Sequence, residues 1–295
     1  MADKKAIRIP ESELILDPEG RIYHLRLLPG EIADTIITVG DPDRVAMVSN
    51  YFDHIEVKAA HREFITHTGT YKGKRISVIS SGIGVDNIDI VLNELDALVN
   101  IDFTTRSIKK DLSSLTIIRI GTSGSIQATI PVDSFLMSHS AIGLDNLLHF
   151  YATEDILNRT LSEAFIKHTQ WNKINATPYV VAADEALLRL FSSEKMHEGL
   201  TGTNVGFYGP QGRVLRLALQ DETLQDKIAS FSYKGIRLTN FEMETAAIYG
   251  LAKLLGHRAV SLNAIIANRA QGTFSKDSMA TVDGLIQYTL DHLVG

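Results

Sequence analysis

Six short apolar runs, rich in β-branched residues, recur along the chain and predict buried strands. They occupy residues 35–40, 75–82, 115–121, 134–140, 179–184 and 259–267. Apolar residues with helical spacing occupy residues 43–52, 88–99, 185–195, 243–256 and 282–294. This alternation predicts an α/β fold with helices on both sides of a largely parallel or mixed sheet.

Neither an interdomain linker nor an internal repeat interrupts this pattern. We therefore predict an N-terminal arm over residues 1–21 and a single domain over residues 22–295. The opening stretch MADKKAIRIPESELIL lacks the apolar core of a signal peptide, and no run approaches the roughly 18 apolar residues of a membrane span. We expect a cytoplasmic protein that does not bind a membrane.

Composition and charge exclude several classes of function. The chain has no cysteine, so it carries neither a disulfide framework nor a thiolate nucleophile. Its formal net charge of -6 argues against nucleic-acid binding, because a phosphate backbone requires a basic face. A small anion could still bind in a locally basic pocket.

The loop after the first apolar run has features of a phosphate site. Ligands of such sheets bind where strands lead into helices. Here the run ends at Gly40, Asp41 is a suitable N-cap, and Pro42 is a suitable first helical residue. Free backbone N–H groups together with Arg44 would suit a phosphate. The alternative is an ordinary capped helix with a solvated arginine.

A second anion site is indicated by the motif RIGTSG. Arg119 stands inside an apolar run, where burial of its charge is costly without compensation. Gly121 and Gly124 bracket Thr122 and Ser123, so backbone amides and hydroxyls could converge on an anion beside the guanidinium. The alternative is an edge strand whose arginine reaches water.

The motif GFYGPQGRV presents Gln211 and Arg213 after two aromatic residues. A glutamine both donates and accepts, and an arginine offers a fork of donors, so the pair could bind a planar heterocycle with carbonyl and N–H groups. The alternative is an ordinary surface loop. The pair Gly82 and Gly84 is a weak indication of a dinucleotide site, because Asn87 replaces the third glycine of that motif.

The stretch FEMETA contains two acids, Glu242 and Glu244, in apolar surroundings. On a helix their side chains point about 200° apart, so they cannot share a target unless the helix has not yet begun. A paired-carboxylate or metal site is therefore disfavoured, and we predict no metal. One carboxylate would accept from ligand hydroxyls while the protein holds the other. The alternative is a solvated first helical turn.

Six ordered motifs together resemble the uridine phosphorylase branch of the nucleoside phosphorylase family. They are GDPDRV, HREF, RIGTSGSIQ, FYGPQGR, NFEMETA and NRAQG, and the resemblance covers roughly residues 22–290. It implies a three-layer α/β/α fold around a mixed, partly barrel-like sheet. It also implies a homodimer or a trimer of dimers with shared active sites.

The resemblance implies a role for each matching residue. Phosphate would be held by Gly40, Arg44, Arg119 and Thr122, with Arg62 from the neighbouring subunit. Ribose would be held by Glu242, Met243 and Glu244, with His24 from the neighbour. The base would contact Phe207, Gln211 and Arg213, and Arg269 would position the base-binding segment.

The implied reaction is reversible phosphorolysis of uridine in nucleoside salvage or catabolism, catalysed by Arg213, Gln211 and Glu244. Phosphate is a co-substrate, and no cofactor is expected. Purine-specific relatives carry an acidic residue near Asn268, and an asparagine cannot serve as that acid. A purine phosphorylase, a hydrolytic nucleosidase and a catalytically idle nucleoside-binding protein remain the alternatives.

Overall fold

The computed structural model describes residues 8–295, so residues 1–7 of the predicted arm lie outside the described residues. The chain forms two compact units. The first runs from residue 8 to Gly82 and includes Ile90–Thr116; the second comprises Ile83–Asp89 and Ile117–Gly295. The boundary between arm and domain at residues 21 and 22 stays a prediction.

The helices and strands alternate along most of the chain. The strands are β1 (Thr35–Val39), β2 (His54–His61), β3 (Phe64–Tyr71), β4 (Lys74–Ser80), β5 (Ile101–Asp102), β6 (Ser107–Ile108), β7 (Thr116–Ser125), β8 (Ser134–Gly143), β9 (Tyr179–Ala182), β10 (Met196–Thr203), β11 (Ser232–Tyr233), β12 (Ile236–Glu242), β13 (Arg258–Asn268) and β14 (Thr273–Phe274). The α-helices are α1 (Asp43–Ser49), α2 (Val85–Asn100), α3 (Arg159–Thr169), α4 (Glu185–Phe191), α5 (Leu224–Ser230), α6 (Thr245–Leu254) and α7 (Ser278–Val294).

In the first unit, strands β1 to β4 form a mixed sheet. Strand β1 pairs in parallel with β4, and β2, β3 and β4 pair antiparallel in succession. All five residues of β1 are buried, which explains its continuous run of Thr, Ile and Val. Helix α1 packs against β3 and β4. The loop at Gly40 therefore follows directly from a buried strand.

In the second unit, the neighbouring strands are ordered β11-β12-β10-β8-β13-β7. Strand β10 is parallel to both β8 and β12, whereas β13 is antiparallel to β8. A short antiparallel pairing of β12 with β7, at Asn240–Ser125 and Phe241–Gly124, links the last strand of this series with the second one. The mixed sheet is therefore partly closed into a ring, as the predicted barrel-like distortion requires.

All six predicted strands are present, which confirms the α/β class. Strands β2, β3, β10 and β12 are not predicted from the sequence. Strand β10 shows why: it contains Gly199 and Gly202, which the pattern does not mark as strand residues. A Cβ at Gly199 would lie 2.1 Å from Thr239 Oγ1, and one at Gly202 would lie 2.7 Å from Phe241 Cδ1. The glycines admit the side chains of the neighbouring strand β12.

The predicted helices are also present, with one important change of boundary. The helical pattern at residues 243–256 forms a helix only from Thr245, because strand β12 continues to Glu242. The interval between strand and helix thus contains Met243 and Glu244. Across residues 8–295, none of the helices combines the length and apolar character required to cross a membrane.

Candidate active site

Two neighbouring parallel strands of the second unit end at the same edge of the sheet. Strand β10 ends at Thr203, which lies opposite Glu242 at the end of β12. The Thr203 hydroxyl donates to Glu242 Oε1 at 2.6 Å. The loop with the predicted base-binding residues follows β10, and the predicted ribose-binding residues follow β12. This is the sheet edge at which α/β proteins bind ligands.

Arg119 on β7 forms a buried ion cluster with both acids of FEMETA. Its Nη2 lies 2.6 Å from Glu244 Oε2 and 3.3 Å from Glu242 Oε2. Its Nη1 donates to Asn263 Oδ1 at 3.0 Å. The arginine side chain is only 7% exposed, so the alternative of an edge-strand arginine that reaches water is wrong. The two carboxylates share a target because neither lies within the helix.

Glu242 is the carboxylate that the protein holds. Its Oε2 accepts hydrogen bonds from the backbone N–H groups of Glu244 and Thr245 and from the Thr245 hydroxyl, at 2.8–2.9 Å. Together with the bond from Thr203 to Oε1, these contacts occupy both oxygens. Glu242 thus accepts from N–H groups that the first turn of α6 leaves unsatisfied. The direct ribose contact predicted for Glu242 stays a prediction.

Glu244 has fewer internal partners. Its Oε2 pairs with Arg119, and its Oε1 accepts from the Gly84 backbone N–H at 2.9 Å. Burial raises the pKa of Glu244 above its ordinary value, although the charge of Arg119 acts in the opposite direction. Burial alone would lower the pKa of Arg119, but the two carboxylates outweigh it, so the net shift is upward. The two carboxylates therefore favour the charged form of Arg119.

Small residues make room for this cluster. A Cβ at Gly121 would lie 1.8 Å from Arg119 Nη1, so only glycine lets the guanidinium fold back over its own strand. Gly84 has a φ of 101°, a backbone conformation that side chains rarely adopt. Gly84, one of the two glycines that weakly suggested a dinucleotide loop, instead donates its N–H to Glu244. Thr122, a predicted phosphate ligand, and Met243, a predicted ribose contact, are both half-buried.

The predicted base-binding residues form a second cluster, in the loop after β10. Arg213 Nη1 donates to Gln211 Oε1 and to the Phe207 carbonyl, both at 2.6 Å. The Arg213 guanidinium carbon lies 3.8 Å from the centre of the Phe207 ring. Gln211 is buried, whereas the Phe207 ring is half exposed. The loop thus brings together an amide, a guanidinium and an aromatic ring.

Arg269, which follows β13, joins this cluster. Its Nη1 donates to the Gln211 carbonyl, a contact expected of a residue that positions the base-binding segment. Burial and then repulsion from Arg269 lower the pKa of Arg213, and burial lowers the pKa of Arg269. The partners of both guanidinium groups are neutral oxygens and aromatic rings. The cluster is therefore electropositive and suited to an electron-rich ligand.

Asn268 is fully buried beside this cluster, and its side chain forms hydrogen bonds to backbone groups. Its Nδ2 donates to the carbonyls of Gln127 and Ile130 at 3.0 and 2.8 Å, and its Oδ1 accepts from the Gln271 N–H at 2.9 Å. The side chain anchors the turn that follows β13. It cannot supply a proton to a base, as its amide chemistry already implies.

His24 belongs to the first unit and lies in a network that the sequence does not reveal. Its Nδ1 lies 2.6 Å from Glu94 Oε1, and its backbone N–H and that of Leu25 donate to the same carboxylate. The His24 carbonyl lies 3.1 Å from His61 Nδ1. Glu94 therefore fixes the imidazole through one nitrogen, which leaves Nε2 for a ligand. Sequence reasoning missed Glu94 because it stands on an ordinary amphipathic helix.

The predicted phosphate loop of the first unit follows β1. Helix α1 begins at Asp43 with Pro42 at the N-cap, one residue later than predicted, although Asp41 Oδ1 does accept from the Asp43 N–H at 3.0 Å. Gly40 is closely packed, because a Cβ there would lie 3.3 Å from the Gly82 carbonyl oxygen. Arg44 is half-buried in the first turn of this helix.

Arg62 stands at the turn between β2 and β3. Its φ of 54° lies in the left-handed region, which is uncommon for a residue with a side chain. The side chain is exposed. This position suits a residue that acts on a neighbouring subunit, as the resemblance implies.

Comparison with known families identifies the protein class. The family model described as the phosphorylase superfamily matches residues 34–291. The chain belongs to the phosphorylase superfamily. The match includes the Arg119 cluster and the loop of Gln211 and Arg213, and it confirms the resemblance seen in the six motifs.

The relatives of this phosphorylase include enzymes named for pyrimidine and for purine nucleosides. This chain is 31% identical over 264 residues to a uridine phosphorylase of Thermococcus kodakarensis, and the match covers 88% of this chain and 81% of the relative. It is 27% identical over 280 residues to a DeoD-type purine nucleoside phosphorylase of Colwellia psychrerythraea, covering 92% and 98%.

A solved structure shows the same fold. This is the nucleoside phosphorylase of Trypanosoma brucei, which shows uridine phosphorylase activity. The phosphorylase matches it with a TM-score of 0.85 and 31% identity, over 96% of this chain and 99% of that one. The predicted nucleoside phosphorylase fold is thereby confirmed.

The phosphorylase should tolerate a methyl group at Gly124 but not at Gly121. We expect Gly121→Ala to lower the free energy of unfolding by about 3 kcal/mol, because the displaced guanidinium leaves two buried carboxylates uncompensated. Gly124→Ala is the matched control, since its Cβ would lie 3.8 Å from the nearest atom. Urea unfolding of both variants measures the difference, and equal losses of stability would contradict the role of Gly121.

Proposed function

We propose that this phosphorylase catalyses the reversible phosphorolysis of uridine to uracil and ribose 1-phosphate. The observation that carries this proposal is the contact of Arg213 with Gln211 beside the Phe207 ring. An amide and a guanidinium side by side match the carbonyl and N–H groups on the edge of uracil. The names of the Thermococcus and Trypanosoma relatives support the same substrate.

The Arg119 cluster supports roles in substrate binding. Arg119 and Glu244 pair with each other at 2.6 Å. We propose that Arg119 donates to phosphate and that the ribose hydroxyls donate to Glu244. The bound substrates would then replace part of the ion pair between Arg119 and Glu244. Glu242 keeps its backbone contacts and holds Glu244 in place. Met243 would contact the apolar face of the sugar, and Thr122 would donate to phosphate.

The first unit contributes further proposed roles that rest on the motif resemblance. Gly40, Arg44 and Arg62 would bind phosphate. His24 would contact the ribose through Nε2, because Glu94 already holds Nδ1. Glu94 is accordingly a positioning residue.

The chemistry follows from these residue types. A phosphate oxygen forms a bond to C1′ of the ribose as the bond from C1′ to N1 of uracil breaks, and the electron pair leaves with the base. The sugar gains positive character in the transition state, which the Glu244 carboxylate stabilises. The departing uracil gains negative charge on its carbonyl oxygens, which Arg213 and Gln211 stabilise in the manner of an oxyanion hole. Phosphate is itself the nucleophile, so the protein's task is orientation.

Two alternatives on the same scaffold are less well supported. A purine phosphorylase would use an acid to protonate the base, and Asn268 is an amide committed to backbone contacts. The Colwellia relative is named as a purine nucleoside phosphorylase, which makes this alternative worth testing. A hydrolytic nucleosidase would not require the arginines at positions 44, 62 and 119, since water carries no charge.

We further propose a homodimer as the minimal active unit, alone or within a trimer of dimers, acting in the cytoplasm in nucleoside salvage. The exposed position of Arg62 at the turn between β2 and β3 supports a role in a neighbouring subunit's site.

The proposed reaction requires phosphate. We expect the purified protein to release uracil from uridine only when phosphate is present, with equimolar ribose 1-phosphate. Chromatography of the products with and without phosphate measures this. Uracil release without phosphate would instead establish hydrolysis, and release of a purine from inosine or adenosine in place of uracil would establish the purine alternative.

Removal of the base-binding guanidinium should impair catalysis more than folding. We expect Arg213→Ala to lower kcat/KM for uridine by about 10²- to 10³-fold, the usual effect of losing one donor to a developing anion. Arg216→Ala, three positions along the same loop and exposed, is the matched control and should stay near the parent value. Similar kinetics for the two variants would refute the role of Arg213.

Shared active sites predict complementation between two inactive variants. Arg62→Ala and Arg213→Ala should each be nearly inactive, but after co-expression in equal amounts about a quarter of all sites in the mixture should be active. Recovery occurs because one site of each hybrid dimer then receives both intact arginines. Co-expression of Arg213→Ala with Glu244→Gln should give no recovery. Arg213 and Glu244 of one site come from the same subunit, so every site in a hybrid dimer lacks one of them. Absence of recovery in the first mixture would show that Arg62 acts within its own subunit.

A further inference from the structure

Buried polar side chains follow one another around the partly closed sheet of the second unit. One lies on each of five neighbouring strands, and we call the set the polar belt: Asn263 on β13, Ser138 on β8, Thr201 on β10, Asn240 on β12 and Ser123 on β7. The first four are 0% exposed, and Ser123 is 5% exposed. Arg119 also lies on β7, next to the Asn263 end, so the belt returns to the strand from which it starts.

Each member of the polar belt forms a hydrogen bond with the next. Asn263 Nδ2 donates to Ser138 Oγ at 3.1 Å, and the Ser138 and Thr201 hydroxyl oxygens lie 2.5 Å apart. Thr201 Oγ1 donates to Asn240 Oδ1 at 2.9 Å, and Asn240 Nδ2 donates to Ser123 Oγ at 2.9 Å. Because the Thr201 proton is used by Asn240, the Ser138 hydroxyl donates to Thr201. Every donor of the belt thus points from Asn263 toward Ser123.

The direction of these donors fixes which end of the Asn263 amide faces Arg119. Ser138 gives its proton to Thr201, so it can only accept from Asn263, and the NH₂ group of the amide must face it. The amide oxygen is then left for Arg119 Nη1, which donates to it at 3.0 Å. Arginine has no acceptor, so the opposite orientation of the amide would place two donors against each other.

Two kinds of partner hold the two ends of the Arg119 guanidinium. Nη2 lies against the carboxylates of Glu244 and Glu242, whereas Nη1 meets the neutral oxygen of Asn263. Under the proposed function, on which this inference rests, phosphate replaces part of the pairing with Glu244. The contact with Asn263 can persist through that exchange. Because the amide is neutral, it holds the guanidinium without competing with phosphate for the charge.

We propose that Asn263 is a positioning residue for phosphate binding and that the polar belt sets its orientation. Asn263 acts through Arg119: it holds Nη1 while Nη2 changes partner from Glu244 to phosphate. Polar groups in a core are costly unless they are satisfied, and a fully satisfied network fixes one geometry. The geometry that the belt fixes is that of the guanidinium. Supporting contacts of this kind orient the groups that touch a ligand.

Affinity for inorganic phosphate, measured by calorimetric titration of the protein, tests this role without turnover. Asn263→Leu, which is close in size, should weaken phosphate binding about tenfold, the equivalent of one hydrogen bond to a charged group. Asn263→Asp keeps an acceptor for Arg119 but should also weaken phosphate binding, because a third carboxylate repels the anion. A merely structural role predicts no such loss for Asn263→Asp, since a charged pair would hold the guanidinium more firmly.

Ser138→Ala tests the polar belt without altering a side chain that contacts Arg119. It removes the acceptor that orients the Asn263 amide, so phosphate affinity should fall about fivefold, the equivalent of one neutral hydrogen bond. Ser162→Ala is the matched control, because Ser162 is also buried in the second unit and its hydroxyl donates to the Pro178 carbonyl, outside the belt. Urea unfolding should show similar losses of stability for the two variants, whereas phosphate affinity should change only in Ser138→Ala.

Parent-like phosphate affinity in either Asn263 variant would overturn the positioning role, and parent-like affinity in Ser138→Ala would overturn its control by the belt. If Asn263→Leu does not fold, Asn263→Asp and Ser138→Ala decide the question. A parent protein that binds no phosphate would refute the proposed function and this inference with it. A parent that binds phosphate but releases no uracil from uridine would refute only the proposed reaction, because the phosphate titrations would still measure the role of Asn263.

Discussion

The buried ion cluster of Arg119 with Glu242 and Glu244 is the interaction on which the proposed site depends. Charges removed from water are stable only when partners compensate for the lost hydration. Here one guanidinium faces two carboxylates, and a row of N–H and hydroxyl groups satisfies the remaining oxygens. The cluster joins strand β7 to the junction of β12 and α6. Its geometry therefore sets where the predicted ribose-binding residues lie.

The two carboxylates of this cluster have different surroundings, which separates their roles. Glu242 is held by backbone N–H groups at the start of α6, and such bonds do not exchange readily with a ligand. Glu244 is held by one backbone N–H and by one arginine side chain, and a side chain can turn toward a charged substrate. We therefore propose that the protein keeps Glu242 for the fold and leaves Glu244 for chemistry. A rigid supporting contact beside a reactive one is the arrangement that preorganises a site.

The loop that we propose to bind the base follows a different physical principle. Its guanidinium groups, on Arg213 and Arg269, meet neutral oxygens and aromatic rings in place of carboxylates. Burial and mutual repulsion leave a positive potential that a developing anion on the base can relieve. Loops placed on a rigid sheet commonly carry such recognition residues.

The sequence by itself determined the α/β class, six of the strands and the six motifs, because buried strands and amphipathic helices leave local periodic patterns. It also indicated that one acid of FEMETA would be held by the protein. The tertiary structure alone decided that strand β12 continues to Glu242, which lets both acids reach Arg119. It likewise revealed Glu94 behind His24 and Asn263 beside Arg119. These contacts join residues far apart in the chain, and no local pattern encodes which distant side chains will meet.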